Sequence, residues 1–422
     1  MKIVVIGGGA AGMMAALTAA ENGAGVTLLE KNEKLGKKIY ITGKGRCNFT
    51  NACPPEDFLK SVVRNPRFMY SSFSAFNNED TARFFEKNGL RTKTERGARV
   101  FPESDKASDV TRTLEKALRG AGAEIILNAK VLSLHKAEDG IFVLEYLRNE
   151  KKTLIRCDRV IVATGGLSYS STGSDGDGYR FAIENGHGIT DRYPSLVSVR
   201  ASLPDGESLA PMAGLSPKNV SLSLLDGGRR VFEEFGEMLF THDGISGPIV
   251  LTLSALLEEK YLKNNFELFK KTYLLLDWKP ALSPEQLDKR LLREFDSSRN
   301  KTLRNVMRSL LPESTVPAVL LQARVSPGTP VHEVTREQRR GIADALKKFR
   351  LIPVGLGGYN EAVITRGGVN VRQINPSTME SKVTAGLYFA GEVLDIDALT
   401  GGFNLQLAWT TGHAAGRGAA GE

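Results

Sequence analysis

The sequence predicts an α/β protein whose parallel sheet is built from both ends of the chain and interrupted by an insert of different texture. Three observations carry this. Residues 2–12, Lys-Ile-Val-Val-Ile-Gly-Gly-Gly-Ala-Ala-Gly, run an apolar β-branched strand into a G-x-G-x-x-G turn. Strand and helix patterns then alternate to about residue 190. A buried strand and a Gly-Gly turn return near the far end, at Gly386–Phe389 and Gly401–Gly402.

In order, Ile3–Ile6 reads as a strand, Ala10–Asn22 as a helix and Val26–Leu29 as a second strand ending in Glu30. Gly7 allows the tight turn, Gly9 lets backbone N–H groups approach a pyrophosphate, and Gly12 lets the helix pack against the strand. The helix N-terminus would face the phosphates. Glu30 lies eighteen residues after Gly12, where a carboxylate can accept both hydroxyls of an adenosine ribose. A polar, glycine-bearing segment follows, then a helix near Glu79–Lys87, a strand pair over Arg91–Phe101 and an amphipathic helix over Ser108–Gly120. Short strands are expected at Ala123–Ile126 and Lys130–His135, and a hairpin at Ile141–Tyr146 and Lys152–Arg156. Asp158–Gly166 is a further buried strand ending in small residues, where a second nucleotide-contacting loop would sit.

From about Tyr193 the texture changes. Val197–Ala201, Val220–Leu225, Arg230–Glu234 and Tyr273–Trp278 read as short strands without long helices between them, which suggests a small β-barrel. Leu282–Leu311 and Thr335–Phe349 have helical spacing, with breaks at Pro312 and Pro317, and a last helix runs from Asn404 to about Arg417. The expected organisation is a nucleotide domain over 1–191, a barrel insert over 192–280, a basic helical subdomain with return to the barrel over 281–352, and the rest of the nucleotide domain over 353–422.

Composition narrows the class. No apolar stretch approaches the roughly 20 residues of a membrane span, and the first strand begins at once, so a cytoplasmic protein without a leader is expected. Three cysteines (Cys47, Cys53 and Cys157) are too few for a disulfide framework. No metal-ligand spacing, G-x-S-x-G elbow or P-loop occurs. The net charge is +8, and Ala281–Arg350 alone holds fourteen Lys/Arg against eight Asp/Glu. Four clusters in that region (Lys289–Arg293, Arg299–Arg308, Arg336–Arg340 and Lys347–Arg350) suit either a solvated helical face or an anionic partner, most plausibly RNA.

The dinucleotide is identified at the other end of the chain. Ala390-Gly391-Glu392 ends a strand where Glu392 can hydrogen-bond a ribityl chain, and Thr400-Gly401-Gly402 opens a helix facing a flavin's N1/C2=O edge. The helix dipole and its free N–H donors would stabilise the negative charge of a reduced flavin there. Both ends together therefore read as an FAD site. Its candidate contacts are Gly7, Gly9, Ala11, Gly12, Glu30, Lys31, Val131, Ala163, Thr164, Gly165, Gly391, Glu392, Asp395, Gly402, Phe403, Asn404 and Leu405. From Glu30 the chain must run along the cofactor, which adds Thr42, Gly45, Arg46, Cys47 and Asn48 towards the flavin, with Lys37 and Lys38 neutralising pyrophosphate. Cys47 and Cys53 lack redox-dithiol spacing, so Cys47 is structural or an acid donor, and His242 in Phe240–Pro248 is structural or a second proton donor. Only one dinucleotide fingerprint exists, so NAD(P)H is expected as a diffusible reductant without a domain of its own.

These blocks, in order along the whole chain, resemble the BaiN/YhiN-like FAD-dependent flavoproteins, the group that includes aminoacetone oxidase. The matching runs are Ile41–Asn48, Thr172–Tyr179, Phe240–Pro248, Thr365–Val369 and Thr378–Lys382 through Gly391-Glu392 and Gly401–Asn404. The resemblance implies a Rossmann-type FAD domain of the glutathione-reductase kind with an inserted β-barrel and a helical subdomain. It implies FAD held through Gly7, Gly9, Gly12, Glu30, Gly391, Glu392 and Asn404. The implied activities are amine oxidation, reduction of steroid-like enones and reduction of a uridine in large-subunit ribosomal RNA. One position departs from the pattern: Arg366 stands where glycine is expected, adding a positive group on the presumed substrate side.

The leading expectation is hydride transfer to the uridine C5=C6 bond of ribosomal RNA, with Cys47 and then His242 as proton donors. Its rivals are a small-molecule oxidase or enone reductase, whose substrate gives no reason for the basic insert, and a flavin-carrying RNA-binding factor without turnover. Oligomeric state is not legible.

Overall fold

The computed structural model describes residues 1–421. The chain divides into two compact units, one made of Met1–Ser195 with the chain from Tyr359 onward, the other of Leu196–Gly358.

The first unit is organised by a five-stranded parallel sheet. Its strand order is Leu387–Phe389, Arg159–Val162, Lys2–Ile6, Gly25–Leu29 and Glu124–Ile126. Lys2–Ile6 lies at the centre, with Ile3 to Ile6 aligned on Arg159 to Val162 on one side and on Val26 to Leu29 on the other. Both faces of this strand are covered, so Ile3, Val4 and Val5 have no exposed surface. An antiparallel sheet of Lys130–Lys136, Phe142–Arg148 and Lys151–Cys157 belongs to the same unit.

The N-terminal helix, Ala10–Glu21, is matched by the C-terminal helix, Phe403–Ala420. Each is rich in Ala and Gly and carries little amphipathic pattern, because each is covered on most of its surface. A Cβ on Gly412 would lie 2.4 Å from the carbonyl oxygen of Ala11, and one on Gly416 would lie 2.5 Å from that of Ala15. The two backbones therefore touch at intervals of one turn. Only glycine fits.

The second unit carries a seven-stranded sheet whose pairings are all antiparallel. Its order is Arg229–Gly236, Val220–Asp226, Tyr273–Asp277, Phe349–Leu356, Val199–Ser202, Gly244–Ser246 and Leu239–Thr241. Among the described residues no pairing joins the two edges, so the expected barrel is an open sheet. Helices Pro284–Asp296 and Arg336–Lys347 pack together in this unit, each opened by a capping box, at Ser283 with Gln286 and at Thr335 with Gln338. The boundary expected at 352/353 falls inside the strand Phe349–Leu356, so the insert runs on to Gly358.

Two local expectations are corrected, and two helices appear that the sequence pattern does not announce. The continuous helical spacing of Leu282–Leu311 breaks into Pro284–Asp296 and Leu303–Met307, because Ser297–Thr302 is polar and turn-forming. Pro317 sits in the first turn of the helix Val316–Gln322 and opens it instead of breaking one. Helices Pro66–Ala75 and Pro248–Leu256 are not anticipated from the sequence pattern, although each has proline in its first turn.

Gly416→Val should destabilise the protein by about 3 kcal/mol, since backbone cannot yield to a new side chain. Gly120→Ala, with nothing within 4 Å of its Cβ position, should be neutral or stabilising by up to about 1 kcal/mol. Urea denaturation of both variants checks the contrast.

Candidate functional site

The phosphate turn separates two reasons for glycine. Gly7 has φ +103, and a Cβ there would lie 2.5 Å from the Ala163 carbonyl oxygen. A Cβ on Gly12 would lie 1.8 Å from the Gly7 carbonyl oxygen. Both are required by the protein itself. Gly9 is different, with φ −79 and no heavy atom within 4 Å of its Cβ position. Its missing side chain keeps open a space beside the first-turn N–H groups of Ala10, Ala11 and Gly12, which have no carbonyl within the helix to bond. A cradle of this kind fits a pyrophosphate.

Glu30 is delivered by the strand Gly25–Leu29 and is buried. Its Oε2 accepts from the Gly8 N–H at 2.6 Å, and its Oε1 accepts from the N–H and Nδ2 of Asn32 at 2.8 and 2.7 Å. Three of a carboxylate's roughly four lone-pair directions are thus in use, leaving one, on Oε2, for a ribose hydroxyl in place of the two contacts expected. The Ala129 N–H donates to the Glu30 carbonyl at 2.8 Å, which brings buried Val131 to this end of the site. Lys31 is paired with Asp175 at 2.6 Å and Asp177 at 3.2 Å.

The two lysines expected at the pyrophosphate are otherwise engaged. Lys37 pairs with Glu33 at 2.8 Å, four residues back in the loop before its helix. Lys38 reaches Glu392 and Ser168 Oγ, both at 2.6 Å. Glu392 Oε1 also accepts from Ser168 Oγ at 2.5 Å and from the Thr365 N–H at 2.8 Å. Thr365 Oγ1 in turn accepts from the Leu167 and Ser168 N–H groups at 2.8 and 3.1 Å. Lys38 is therefore the counter-charge that lets Glu392 sit half-buried, a stronger demand than a flexible phosphate contact. Ser168 carries no signal of its role in the sequence, and Thr365 is visible there only as the first residue of the Thr365–Val369 run.

At the other end, two motifs far apart in the chain meet. Thr50 Oγ1 donates to Gln406 Oε1 at 2.6 Å, Asn51 Nδ2 to the Gly401 carbonyl at 2.9 Å, and Trp409 Nε1 to the Phe49 carbonyl at 2.9 Å. A Cβ on Gly402 would lie 2.3 Å from the Thr50 carbonyl oxygen and 2.9 Å from Asn48 Oδ1. Gly401 to Leu405 are half-exposed although Gln406 and Leu407 behind them are buried, so the N–H groups of the helix's first turn face an opening. Asn48 Oδ1 and Thr164 Oγ1 are buried atoms without a protein partner, and both were expected cofactor contacts. Orphaned polar atoms beside a helix N-terminus and an open glycine cradle fit an elongated, polar dinucleotide. Ala163 and Gly391 wall the first helix: Ala163 stands against Gly7, and a Cβ on Gly391 would lie 2.7 Å from that of Ala11.

Several expected contacts are structural instead. The Asn404 carboxamide is spent on the Ala398 N–H and carbonyl at 2.9 and 2.7 Å, so only its backbone N–H faces the opening. Asp395 is buried and ion-paired with Arg64. Arg46 pairs with Glu95 and, at 2.7 Å, with Asp105, and lies 4.2 Å from the Phe101 ring centre, so its charge is turned to the surface hairpin. Thr42 Oγ1 bonds the Ile39 carbonyl at 2.7 Å, and Gly45 supplies a left-handed turn at φ +85.

Of the two expected proton donors, one is enclosed and the other lies in the second unit. Cys47 has no exposed surface, and burial pushes its thiol up to about 12. A donor needs access and a value near ambient pH, and Cys47 has neither. His242 stands exposed at the tip of the tight hairpin joining Leu239–Thr241 to Gly244–Ser246, in the insert.

The titratable group that the sequence does not disclose is Asp397. It is fully buried, its Oδ2 accepts from Ser195 Oγ at 3.3 Å, and its Oδ1 has no protein partner. Burial pushes its carboxyl up to about 6, with the Arg366 charge and the Ser195 hydrogen bond pulling the other way. Arg366, expected as an added charge on the substrate side, is itself buried. Nothing in Leu394-Asp395-Ile396-Asp397 marks one aspartate as different from the other.

The HI0933-like protein Rossmann domain matches residues 1–418. The chain is similar to the 3-dehydro-bile acid delta(4,6)-reductase of Clostridium scindens, with 33% identity over 99% of each chain. It is similar to the ribosomal RNA dihydrouridine synthase of Escherichia coli, with 30% identity over 97% of this chain and 96% of the other. Among solved structures, a 3-ketosteroid delta1-dehydrogenase from Sterolibacterium denitrificans shares the fold at a TM-score of 0.54, with 13% identity over 99% of each chain.

Gly9→Val should fold with unchanged stability when free of cofactor and lose bound flavin, because only the ligand needs that space. Flavin absorbance and thermal melts of stripped and reloaded protein check this. In the native state half-buried Cys53 should react with a thiol reagent, while Cys47 and Cys157, both with thiols pushed up to about 12 by burial, should react only after denaturation.

Proposed function

We propose that this chain, which belongs to the HI0933-like Rossmann family and is an FAD-dependent oxidoreductase, reduces the C5=C6 bond of a uridine in ribosomal RNA. The observation that carries this reading is the unneutralised positive charge of the insert. Arg339 makes a two-point contact with Asp288, at 2.8 and 3.3 Å, and holds that carboxyl below its usual range, with Arg340 and Arg336 adding to the effect. Three arginines thus share one carboxylate. Lys289, Arg293, Lys301, Arg336 and Arg340 are exposed, and among the described residues none has a carboxylate within ion-pair distance. Such exposed cations neutralise phosphates and release the counterions condensed on a nucleic acid, whereas a small neutral substrate gives them no use.

When bound, FAD supplies the hydride, and NAD(P)H is proposed as its diffusible source. The chain's own part is binding and exclusion. The N–H groups beside Gly9 hold the phosphates, Glu30 takes a ribose hydroxyl, and the Lys38–Glu392–Ser168–Thr365 network braces the segment between. Asn48 and the first-turn N–H groups of the C-terminal helix receive the polar edge of the ring system. Cys47, fully buried, is not proposed as the acid, and the proton that accompanies the hydride comes from solvent.

A second reading, an enone reductase for a small apolar substrate, is favoured by the bile acid relative and by one feature of the insert. A half-open pocket of about 530 Å³ lies within it, lined by Leu203, Met212, Pro317 and Leu321 with Glu207 and Arg324 also at its walls.

Deleting the gene should remove a dihydrouridine from ribosomal RNA, read by nucleoside mass spectrometry. Arg336→Glu with Arg340→Glu should weaken RNA binding and reduce its salt slope by about one for each phosphate no longer neutralised. Unchanged dihydrouridine, together with rapid NADPH oxidation on a 3-oxo-Δ4 steroid, would establish the second reading instead.

A further inference from the structure

Asp397 is a buried carboxyl that neither the cofactor contacts nor the proposed reaction uses. Its surroundings are charged on several sides. The segment Asp397–Ala398 pairs antiparallel with Val62–Arg64, with Asp397 aligned on Arg64. Arg366 ends the strand Ile364–Arg366, which pairs with Tyr193–Ser195, and Ser195 supplies the hydroxyl that bonds Asp397. Asp395 lies on Asp397's own segment and raises its proton affinity, while Arg64 and Arg366 lower it. The first turn of the C-terminal helix, Phe403 to Gln406, carries no charged side chain.

The link to the cofactor is short. Ala398, the next residue, is held by both its N–H and its carbonyl to the carboxamide of Asn404, the second residue of that helix. Asp397 is therefore one residue from a backbone segment that is tied directly to the first turn of that helix. The N–H groups of that turn act through partial positive charge of order half an elementary charge, which a buried carboxylate of full charge opposes at low dielectric.

We propose that Asp397 is a positioning residue that couples proton uptake to electron uptake at the flavin, with Arg366 setting the pH at which it does so. The proposal rests on the reading that the ring system's N1/C2=O edge meets the C-terminal helix. Two-electron reduction with uptake of one proton leaves the bound flavin with one negative charge. An ionised Asp397 opposes that charge, and a protonated one does not. By linkage, reduction must then favour the protonated carboxyl to the same degree. Arg366 draws down the proton affinity of Asp397, which burial alone would leave higher.

The sign of the effect follows. Below the titration of Asp397 the carboxyl is neutral, so wild type and Asp397→Asn should have the same flavin midpoint potential. Above it the wild-type potential should fall below that of Asp397→Asn. Arg366→Gly, which removes the counter-charge, should move the step to higher pH. The experiment is a dithionite titration of the FAD-loaded full-length protein with a reference dye, from pH 5 to 8. In this titration dithionite supplies the two electrons and solvent the proton. FAD content and melting temperature are recorded for each variant. Asp397→Asn and Arg366→Gly proteins that hold FAD yet keep the wild-type potential–pH profile would overturn the proposal and leave the cofactor site standing. A purified wild type that does not take up FAD would instead overturn the site on which the proposal rests.

Discussion

The first unit depends on one contact, the backbone-to-backbone approach of its first and last helices. Gly412 and Gly416 lie against the carbonyls of Ala11 and Ala15, so the C-terminal helix is seated to within a methyl group. The same seating puts Gly391 against Ala11 and stacks the turn at Gly402 on Thr50 and Asn48. The phosphate cradle and the far opening are thus fixed by one interface, and neither end can shift without disturbing the other. Close packing of this kind transmits strain instead of absorbing it.

A second constraint is the handling of buried charge. Glu30, Glu392, Asp395 and Asp397 are all tied to donors of the protein itself. Glu30 bridges the turn and the loop after its strand, Glu392 collects Lys38, Ser168 and Thr365, and Asp395 holds Arg64. A carboxylate taken from water needs such partners whether or not a ligand is present. Residues expected at the cofactor therefore act in the protein as braces of their own loops. Asp397 also has an oxygen left without a protein partner.

The backbone features of the site are the most legible in the sequence. The strand Lys2–Ile6, the turn glycines, Glu30 at a strand end and the Gly401-Gly402 turn each follow from local pattern, because glycine spacing and apolar runs have few structural solutions. Side-chain direction is less legible. Arg46, Lys37, Lys38, Asn404 and Asp395 all lie in the expected segments, yet each turns towards a partner distant in sequence or a few residues before it. Arg46 finds Glu95 on a hairpin and Asp105 in the loop after it, neither of which pattern alone orients. Cys47 looks reactive in the sequence because it sits among functional residues, but its complete burial is a tertiary property. Asp397 is invisible there for the same reason. The insert's sheet is legible as strands and not as an open sheet, since edge-to-edge closure depends on pairings far apart in the chain.

The contact between the first and last helices also orders events in time. During synthesis the strand Lys2–Ile6 and the helix Ala10–Glu21 emerge early, but their partner, Phe403–Ala420, is made only after the whole insert. The insert, Leu196–Gly358, is contiguous and complete well before that helix. Since domains fold as units while the chain is still growing, the insert can reach its native state on the ribosome while the cofactor domain still waits for its closing helix. The contact of Gly412 and Gly416 with the first helix therefore closes only after the insert has been made.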